Sequence, residues 1–170
     1  MLEVSLNFDD IKITNILVDD LSEIQKQREY DEQFSLSTLS ERFLESLLSE
    51  CEYFLKISKG GRLLGFIKGR VEFKNPNEAW VWFYHMVEGE EGDLLASEVV
   101  KRIFRYLNQE YDVGEFYIRV PSEDEQAIRF WKTLGFKPLR MVKDFYHIGG
   151  QKMDMLILEN KSMKFNVYKC

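Results

Sequence analysis

The spacing of apolar positions along the chain predicts four helices. Apolar residues recur at intervals of three and four, which is the period of one helix face. These stretches cover 18–30, 38–50, 92–110 and 123–134. In the third stretch the apolar stripe is broad, which indicates a helix that is buried over much of its surface.

Two of these helices carry local signals at their ends. Ser37 or Thr38 is expected to cap the second helix, and Glu41, three residues after Thr38, would complete a capping box. Gly135 follows the fourth helix and is a typical residue at a helix C-terminus.

Shorter apolar runs between the helices predict strands. The run 79–87 is apolar at nearly every position, which favours a central strand covered on both faces. The pairs Gly60-Gly61 and Gly149-Gly150 predict hairpin turns. The predicted strands cover 11–13, 53–58, 62–73, 79–87, 115–120, 139–148 and 153–159, and 163–170 is either a last strand or a tail.

The order of these elements predicts the fold class. Strands and helices alternate through most of the chain, which indicates an α/β protein with a mixed sheet and helices on both faces. With 170 residues, 45% of them hydrophobic, the chain can bury one sizeable core. We therefore expect one domain.

Composition and charge disfavour several functional classes. The net charge of -6 and the pI near 5.1 give no basic surface for nucleic acid. No run of 18 apolar residues is present, and the N-terminal residues do not resemble a secretory signal, so neither a membrane span nor secretion is expected. Cys51 and Cys170 suit neither a metal site nor a disulfide framework. A cytoplasmic location is therefore the default expectation.

One motif in the C-terminal half connects the chain to a known family. Many GNAT-type N-acetyltransferases carry the pattern Asn-x-x-Ala-x-x-φ-Tyr-x-x-x-Gly-Phe, in which φ is apolar. The segment 124–136 resembles it, with Asp124, Ala127, Phe130, Trp131, Gly135 and Phe136 in register. The predicted first strand and helix, 11–13 and 18–30, also resemble the start of this fold.

The resemblance implies a GNAT domain over residues 10–160. Its sheet would be mixed and mostly antiparallel, flanked by helices. The segments 1–9 and 161–170 would be short terminal extensions and candidate edge strands. Members of the family often form dimers through sheet edges or C-terminal strands, so a homodimer through the tail 164–168 is a further expectation.

The resemblance also implies that acetyl-CoA is the co-substrate. In the family, backbone N–H groups at the start of the helix after the central strand bind the pyrophosphate. Here Gly92 and Ala96 keep two small positions, but Leu94 replaces a glycine and Glu91 replaces a basic residue. The residues that would bind the coenzyme are His85, Met86, Val87, Gly92, Asp93, Leu94, Leu95, Ala96, Asp124, Ala127 and Trp131.

The acidic residues of this loop have two interpretations. Glu88, Glu90, Glu91 and Asp93 would repel a dianionic pyrophosphate and weaken coenzyme binding. Acids in the first turn of a helix also satisfy its N–H groups and dipole without any ligand. Cations from elsewhere, at Lys101, Arg102, Arg129 or Lys132, would offset the repulsion.

The acetyl-transfer reaction requires a base for the amine and an acid for the leaving thiolate. Trp131 stands where many family members have a tyrosine that acts as the acid, and an indole N–H does not titrate. His85 is the first candidate for the base, because its ordinary pKa is near 6.5, and Glu78 is the second. Tyr146 is a candidate on the hairpin that borders the acceptor site. The alternatives are that His85 is a packed side chain on an aromatic strand and Glu78 a solvated strand end.

Two functional hypotheses follow from the sequence. The first is an N-acetyltransferase that acts on an amine of a small molecule or a peptide, with a neutral or cationic acceptor suiting the acidic chain. The second is a GNAT-like binding domain without catalysis and without coenzyme A affinity, which Glu91 and Trp131 favour. Coenzyme binding distinguishes the two.

Overall fold

The computed structural model describes residues 1–29, 31–89 and 92–165, apart from the side chain of residue 32. The strands are β1 (Ser5–Phe8), β2 (Ile11–Asn15), β3 (Glu52–Lys59), β4 (Arg62–Glu72), β5 (Asn77–Met86), β6 (Val113–Pro121), β7 (Lys137–Ile148) and β8 (Gln151–Asn160). The α-helices are α1 (Leu21–Gln27), α2 (Leu36–Leu48), α3 (Gly92–Tyr111) and α4 (Glu125–Thr133), and short 3-10 helices cover Val18–Asp20 and Glu32–Phe34.

The eight strands form one mixed sheet in the order β1-β2-β3-β4-β5-β6-β8-β7. Every neighbouring pair is antiparallel except β5 and β6, which are parallel. The predicted fold class is thereby confirmed. β1, within the segment 1–9, lies at one edge of the sheet, and the described residues after Asn160 contain no strand. The rest of the proposed tail strand, 166–170, lies outside the described residues.

Helices cover both faces of the sheet, as two successive residues of β3 show. Phe54 packs in a cluster with Ile24 of α1 and Leu39 of α2. Leu55, the next residue, packs in a separate cluster with Val99 of α3. Because successive side chains of a strand point to opposite faces, α1 and α2 lie on one face and α3 on the other.

The start of α2 differs from the sequence prediction. The helix begins at Leu36, and Ser35 is its N-cap, whose side chain accepts a hydrogen bond from the Thr38 N–H at 3.4 Å. Ser37 therefore lies inside the first turn, and the predicted capping box with Glu41 is wrong. All three positions carry hydroxyl residues, so the local pattern alone did not identify the residue that leaves the helical conformation.

The first predicted helix is also shorter and more divided than expected. Instead of one helix over 18–30, a 3-10 turn at Val18–Asp20 leads into α1, which ends at Gln27. The Asp20 side chain accepts a hydrogen bond from the Leu17 N–H and two from Lys56 on β3. These contacts tie the turn to the sheet, which explains why a continuous helical period breaks at Asp20.

A buried ionic group joins α2, β3 and β4. The Lys68 side chain on β4 is 2% exposed, and its Nζ donates to Glu52 Oε2 at 2.6 Å and to Ser46 Oγ at 2.5 Å. The Ser46 hydroxyl donates to the same Glu52 oxygen at 2.9 Å. Lys68 Nζ also lies 5.2 Å from the Trp82 ring of β5. The ionic group therefore packs against β5 through the Trp82 side chain.

No helix within the described residues is long and apolar enough to cross a membrane.

Candidate active site

The parallel strands β5 and β6 separate partway along their length. They are paired from Asn77 and Val113 to Val81 and Ile118, after which β5 continues to Met86 with no described strand on that side. This divergence opens a cleft in the middle of the sheet. It also explains why the run 79–87 is only half-buried beyond Val81, instead of being covered on both faces.

Two cavities meet at this point. The loop-side cavity, of about 420 Å³, is bordered by the segment between α1 and α2 and by β7 and β8, and the helix-side cavity, of about 500 Å³, by the starts of α3 and α4. The residues that line both are Arg28, Tyr84, His85, Asp124, Ala127 and Trp131. Because they share these walls, the two cavities form one cleft through the separated strands.

The main chain of β5 provides hydrogen-bonding groups along this cleft. The Val87 N–H donates to the Leu64 carbonyl at 2.7 Å, and His85 pairs with Phe66, so both point towards β4. Main-chain groups of alternate residues point to the same side of a strand, so those of Tyr84 and Met86 point to the open side. Of the predicted segment 85–87, only Met86 therefore directs its main-chain groups towards the cleft. Tyr84, which was not predicted, does so as well.

A glycine on β4 permits this arrangement. A Cβ added to Gly65 would lie 2.2 Å from the His85 carbonyl oxygen and 2.7 Å from Met86 Sδ. Only the absence of a side chain lets β4 approach β5 here, which holds the cleft end of β5 in place while its other edge is unpaired.

His85 lies where the two cavities join. Its Nε2 is buried and has no hydrogen-bond partner among the described residues. Burial, with a smaller contribution from the positive charge of Arg28, lowers the pKa of His85 to about 4. The imidazole is therefore neutral at pH 7 and can accept a proton from a group in the cleft. The structure thus brings this predicted residue to the cleft.

The other two predicted catalytic residues lie in different places. Glu78 is seven residues before His85 on β5, roughly 23 Å away at the usual rise of a strand, and it lines neither cavity. Its carboxylate accepts hydrogen bonds from Lys74 and from Trp80 Nε1. Tyr146 on β7 is 5% exposed and lines the loop-side cavity, and burial raises its pKa to about 12. The cleft therefore brings Tyr146 near His85 but not Glu78.

Tyr84 and Trp131 form the aromatic wall of the cleft. The Trp131 side chain is 2% exposed, and its ring centroid lies 5.6 Å from that of Tyr84. The Tyr84 hydroxyl donates to the Ala96 carbonyl of α3 at 2.8 Å, and burial raises its pKa well above the ordinary value. Tyr84 therefore stays neutral and fixes the start of α3 against β5, and Trp131 is a packing residue.

The start of α3 contains most of the other residues predicted to bind the coenzyme. Asp93 and Ala96 line the helix-side cavity together with Met86 and Val87. Gly92 adopts a φ of +51°, which glycine tolerates best, and Leu94 is 86% exposed and turned away from the cleft. Glu90 and Glu91, two of the four acids expected to repel the pyrophosphate, lie outside the described residues.

Near this loop the structure places two cations that the sequence analysis missed. Lys59 and Arg62, from the turn between β3 and β4, line a cavity of about 420 Å³ together with Gly92 and Leu95. The strand register that pairs Gly65 with Met86 brings this turn beside the loop that precedes α3. That register cannot be read from the linear sequence. The four cations suggested earlier, Lys101, Arg102, Arg129 and Lys132, line none of these three cavities.

The Asp124 side chain caps α4 by accepting a hydrogen bond from the Ala127 N–H at 3.0 Å. Both residues line the cleft, so the first turn of the helix in the motif 124–136 forms one wall of it.

Among the described residues, no group of three or more His, Cys, Asp and Glu side chains is placed to hold a metal ion.

Comparison with known structures agrees with this architecture. A crystal structure of the ribosomal-protein-S18-alanine N-acetyltransferase from Escherichia coli matches with 16% identity and a TM-score of 0.69, over 92% of this chain and 97% of that chain. The spermidine N-acetyltransferase from Vibrio cholerae, in complex with CoA and spermine, matches with 15% identity and a TM-score of 0.71, over 89% of this chain and 95% of that chain. At these identities the likeness shows the fold alone.

Sequence comparison identifies the family. A search of curated proteins finds no match. A family model described as "Acetyltransferase (GNAT) domain" matches residues 5–157, which is most of the chain. With the separated parallel strands and the motif at 124–136, this match shows that the chain belongs to the GNAT acetyltransferase family.

Proposed function

We propose that this protein transfers an acetyl group from acetyl-CoA to an amine of a small molecule or a peptide. The observation that carries the proposal is His85, whose imidazole lines both cavities at their junction and is neutral at pH 7. A base in that position reaches both an acyl donor on the helix side and an acceptor on the loop side.

The helix-side cavity suits coenzyme A. The open main-chain edge at Tyr84 and Met86 can hydrogen-bond an amide-containing arm, and the small side chains of Ala96 and Ala127 leave room beside it. The N–H groups that follow Gly92 in the first turn of α3, a helix of 20 residues, would face the pyrophosphate. Lys59 and Arg62 would add positive charge near it and offset the acids Glu88 and Asp93.

Bound acetyl-CoA supplies a thioester whose carbonyl carbon an amine attacks. His85, neutral at pH 7, would accept the proton of the attacking amine. A main-chain N–H at the open edge of β5 would donate to the carbonyl oxygen as negative charge develops there. The Tyr146 hydroxyl, at the loop-side cavity, would hold the amine by a hydrogen bond, because its raised pKa keeps it neutral. Coenzyme A leaves as a thiolate, which is a fair leaving group without a protein acid.

The two structural relatives are named for acetyl transfer to the alanine of ribosomal protein S18 and to spermidine. Both acceptors are amines, and we place the amine of this protein's acceptor in the loop-side cavity.

The test is acetyl transfer by the purified protein, measured as release of the coenzyme A thiol with a panel of primary amines. We expect turnover that His85→Gln lowers by roughly 100-fold or more, the usual contribution of a general base. The matched control is His147→Gln, because His147 is exposed and lines neither cavity. Equal loss in both variants, or no turnover with any amine, would contradict the proposal.

The second candidate is a binding domain of the same fold without catalysis. The observations that favour it are the packing role of Trp131 and the acids Glu88 and Asp93 beside the cleft. It predicts that the protein neither binds acetyl-CoA nor releases thiol.

A further inference from the structure

Two arginines beside the loop-side cavity have charges that the described residues do not neutralise. Arg119 on β6 lines the cavity, and Arg42 on α2 lies against Phe83, which also lines it. Neither guanidinium has an ion pair or a hydrogen bond with a described residue, and the Nε atoms of both are buried without a partner. A buried donor of this kind is costly unless a ligand or water satisfies it.

Aromatic rings hold both guanidinium groups in place. The Arg119 Cζ atom lies 4.8 Å from the Trp82 ring centroid and 5.4 Å from that of Phe145. The Arg42 Cζ atom lies 4.6 Å from the Phe83 ring centroid. Stacking of this type fixes the plane of an arginine while its edge stays available for hydrogen bonds.

The carboxylates near the two arginines are engaged elsewhere or exposed. Asp31, which is 3% exposed, binds Arg28 Nη2 at 3.0 Å and accepts the Gln33 N–H. Glu52 binds Lys68 at 2.6 Å. Glu45 acts to raise the pKa of Arg42 against the larger effect of burial, but it is exposed and forms no described ion pair with it. Glu123 and Asp124 line the cavity and are exposed, and Asp124 caps α4.

The two arginines act on the same part of the cavity. Burial lowers the pKa of Arg119, and the positive charge of Arg42 lowers it further. Both arginine charges also act to lower the pKa of Tyr146 against the larger effect of its burial. Burial lowers the pKa of Arg42 despite the opposing charges of Glu45 and Asp31, so an anion beside the two arginines would stabilise their charged forms. A cationic acceptor would instead be repelled by them.

We propose that the acceptor of this enzyme is an amine that also carries an anionic group, a carboxylate or a phosphate, and that Arg119 and Arg42 bind this group. The inference rests on the proposed acetyl transfer and names the class of its acceptor. It replaces the expectation of a neutral or cationic acceptor, which came from the net charge of the chain. The overall charge of -6 does not describe this cavity, because Arg119 is half-buried there without an ion pair among the described residues, whereas the acids Glu123 and Asp124, which also line it, are exposed.

The experiment compares matched amines that differ in one charge. The carboxylate arm uses ω-amino acids of increasing length and their primary amides. The phosphate arm uses aminoalkyl phosphates and the corresponding amino alcohols, and spermidine represents a cationic acceptor. Thiol release gives kcat/KM for each amine. Tryptophan fluorescence, which reports on Trp82 beside Arg119, gives the affinity for the N-acetylated products without catalysis.

We expect at least one anionic member to exceed its neutral partner by roughly 10-fold to 100-fold, as charge-assisted hydrogen bonds to arginine would give. The arm with the larger ratio identifies the anion as carboxylate or phosphate. Arg119→Met should bring the ratio close to one, and Arg119→Lys should keep part of it, because lysine retains the charge but not the planar donor edge. Arg105→Met, an exposed arginine of α3, is the matched control and should leave the ratio unchanged.

The outcomes separate this inference from the proposed function. Spermidine or the neutral amines acting as well as the anionic ones would overturn the anion site while leaving acetyl transfer intact. A charge preference that persists in Arg119→Met would overturn it too. If no amine releases thiol but the anionic products still bind more tightly, and Arg119→Met abolishes that preference, acetyl transfer fails and the anion site stands. If fluorescence shows no preference either, both fail.

Discussion

The buried ion pair of Lys68 and Glu52 allows the packing beside β5 to be tested through the free energy of unfolding. Replacing Lys68 with methionine keeps the length of the side chain and removes its charge. It leaves the Glu52 carboxylate, which is 13% exposed, with only the Ser46 hydroxyl at 2.9 Å as a described partner. Breaking a buried ion pair by removing one partner costs about 3–5 kcal/mol, and the residual exposure of Glu52 places the expected loss near the lower end, about 3 kcal/mol. That loss lowers the folded-to-unfolded ratio by roughly two orders of magnitude.

The double variant Lys68→Met/Glu52→Leu isolates the cause. With both charges removed, no uncompensated carboxylate stays buried, so the double variant should recover about 2 kcal/mol or more relative to the single one. Lys143→Met is the control, because Lys143 binds Asp154 at 2.9 Å but is 80% exposed, and the loss should be much smaller.

Urea unfolding followed by far-UV circular dichroism measures these differences. Fluorescence is unsuitable, because Lys68 Nζ lies 5.2 Å from the Trp82 ring and its removal would alter the signal directly. A Lys68→Met variant within about 1 kcal/mol of wild type, the scale of a surface pair, would refute the reasoning. So would a double variant less stable than the single one.

Three further predictions concern single positions. Ser35→Ala should lower the free energy of unfolding by about 1 kcal/mol, whereas Ser37→Ala should change it by a few tenths, and equal losses in urea unfolding would contradict the assigned cap. Because the pKa of His85 is lowered to about 4, its neutral form persists below pH 6.5, so kcat/KM calculated per unprotonated amine should have an acidic limb with its midpoint near pH 4. Its contribution to stability is present above pH 6.5 and lost as pH falls towards 4, and a kinetic midpoint near 6.5 would contradict the burial of the ring. Gly69→Ala should prevent folding or destabilise by several kcal/mol in thermal unfolding, because its Cβ would lie 1.9 Å from the Trp80 carbonyl oxygen, and a near-wild-type Tm would contradict the register of β4 and β5.

The sequence predicted those features that depend on local periodicity or on a contiguous motif. The apolar positions of α3 and of the segment 124–136 correctly predicted two helices. Each of these helices buries one face, and the apolar residues of that face recur at helical spacing in the sequence. The parallel pairing of β5 and β6 has no such local signal. Its end at Val81 depends on main-chain geometry, which no single residue type reveals.

The candidate site was less predictable, because its residues meet only through strand register and packing. Nothing in the sequence near Arg42 or Arg119 indicates that both charges act on Tyr146, because the three residues belong to elements far apart in the chain. The net charge favoured a neutral or cationic acceptor, but it averages the whole surface and does not describe the cavity. Glu78 was chosen for its position at the start of an aromatic strand, but the strand is long enough to place it far from His85.

The central claim is that the helix-side cavity binds acetyl-CoA, and calorimetric titration of acetyl-CoA at low salt tests it most directly. Ala127→Trp would fill the cleft between α4 and β5, and Asp93→Asn would remove one carboxylate beside it. We predict that wild type binds with a micromolar Kd, that Ala127→Trp binds at least about 100-fold more weakly with its unfolding transition retained, and that Asp93→Asn binds a few-fold more tightly. No binding by wild type and Asp93→Asn alike, or equal binding by wild type and Ala127→Trp, would contradict the account.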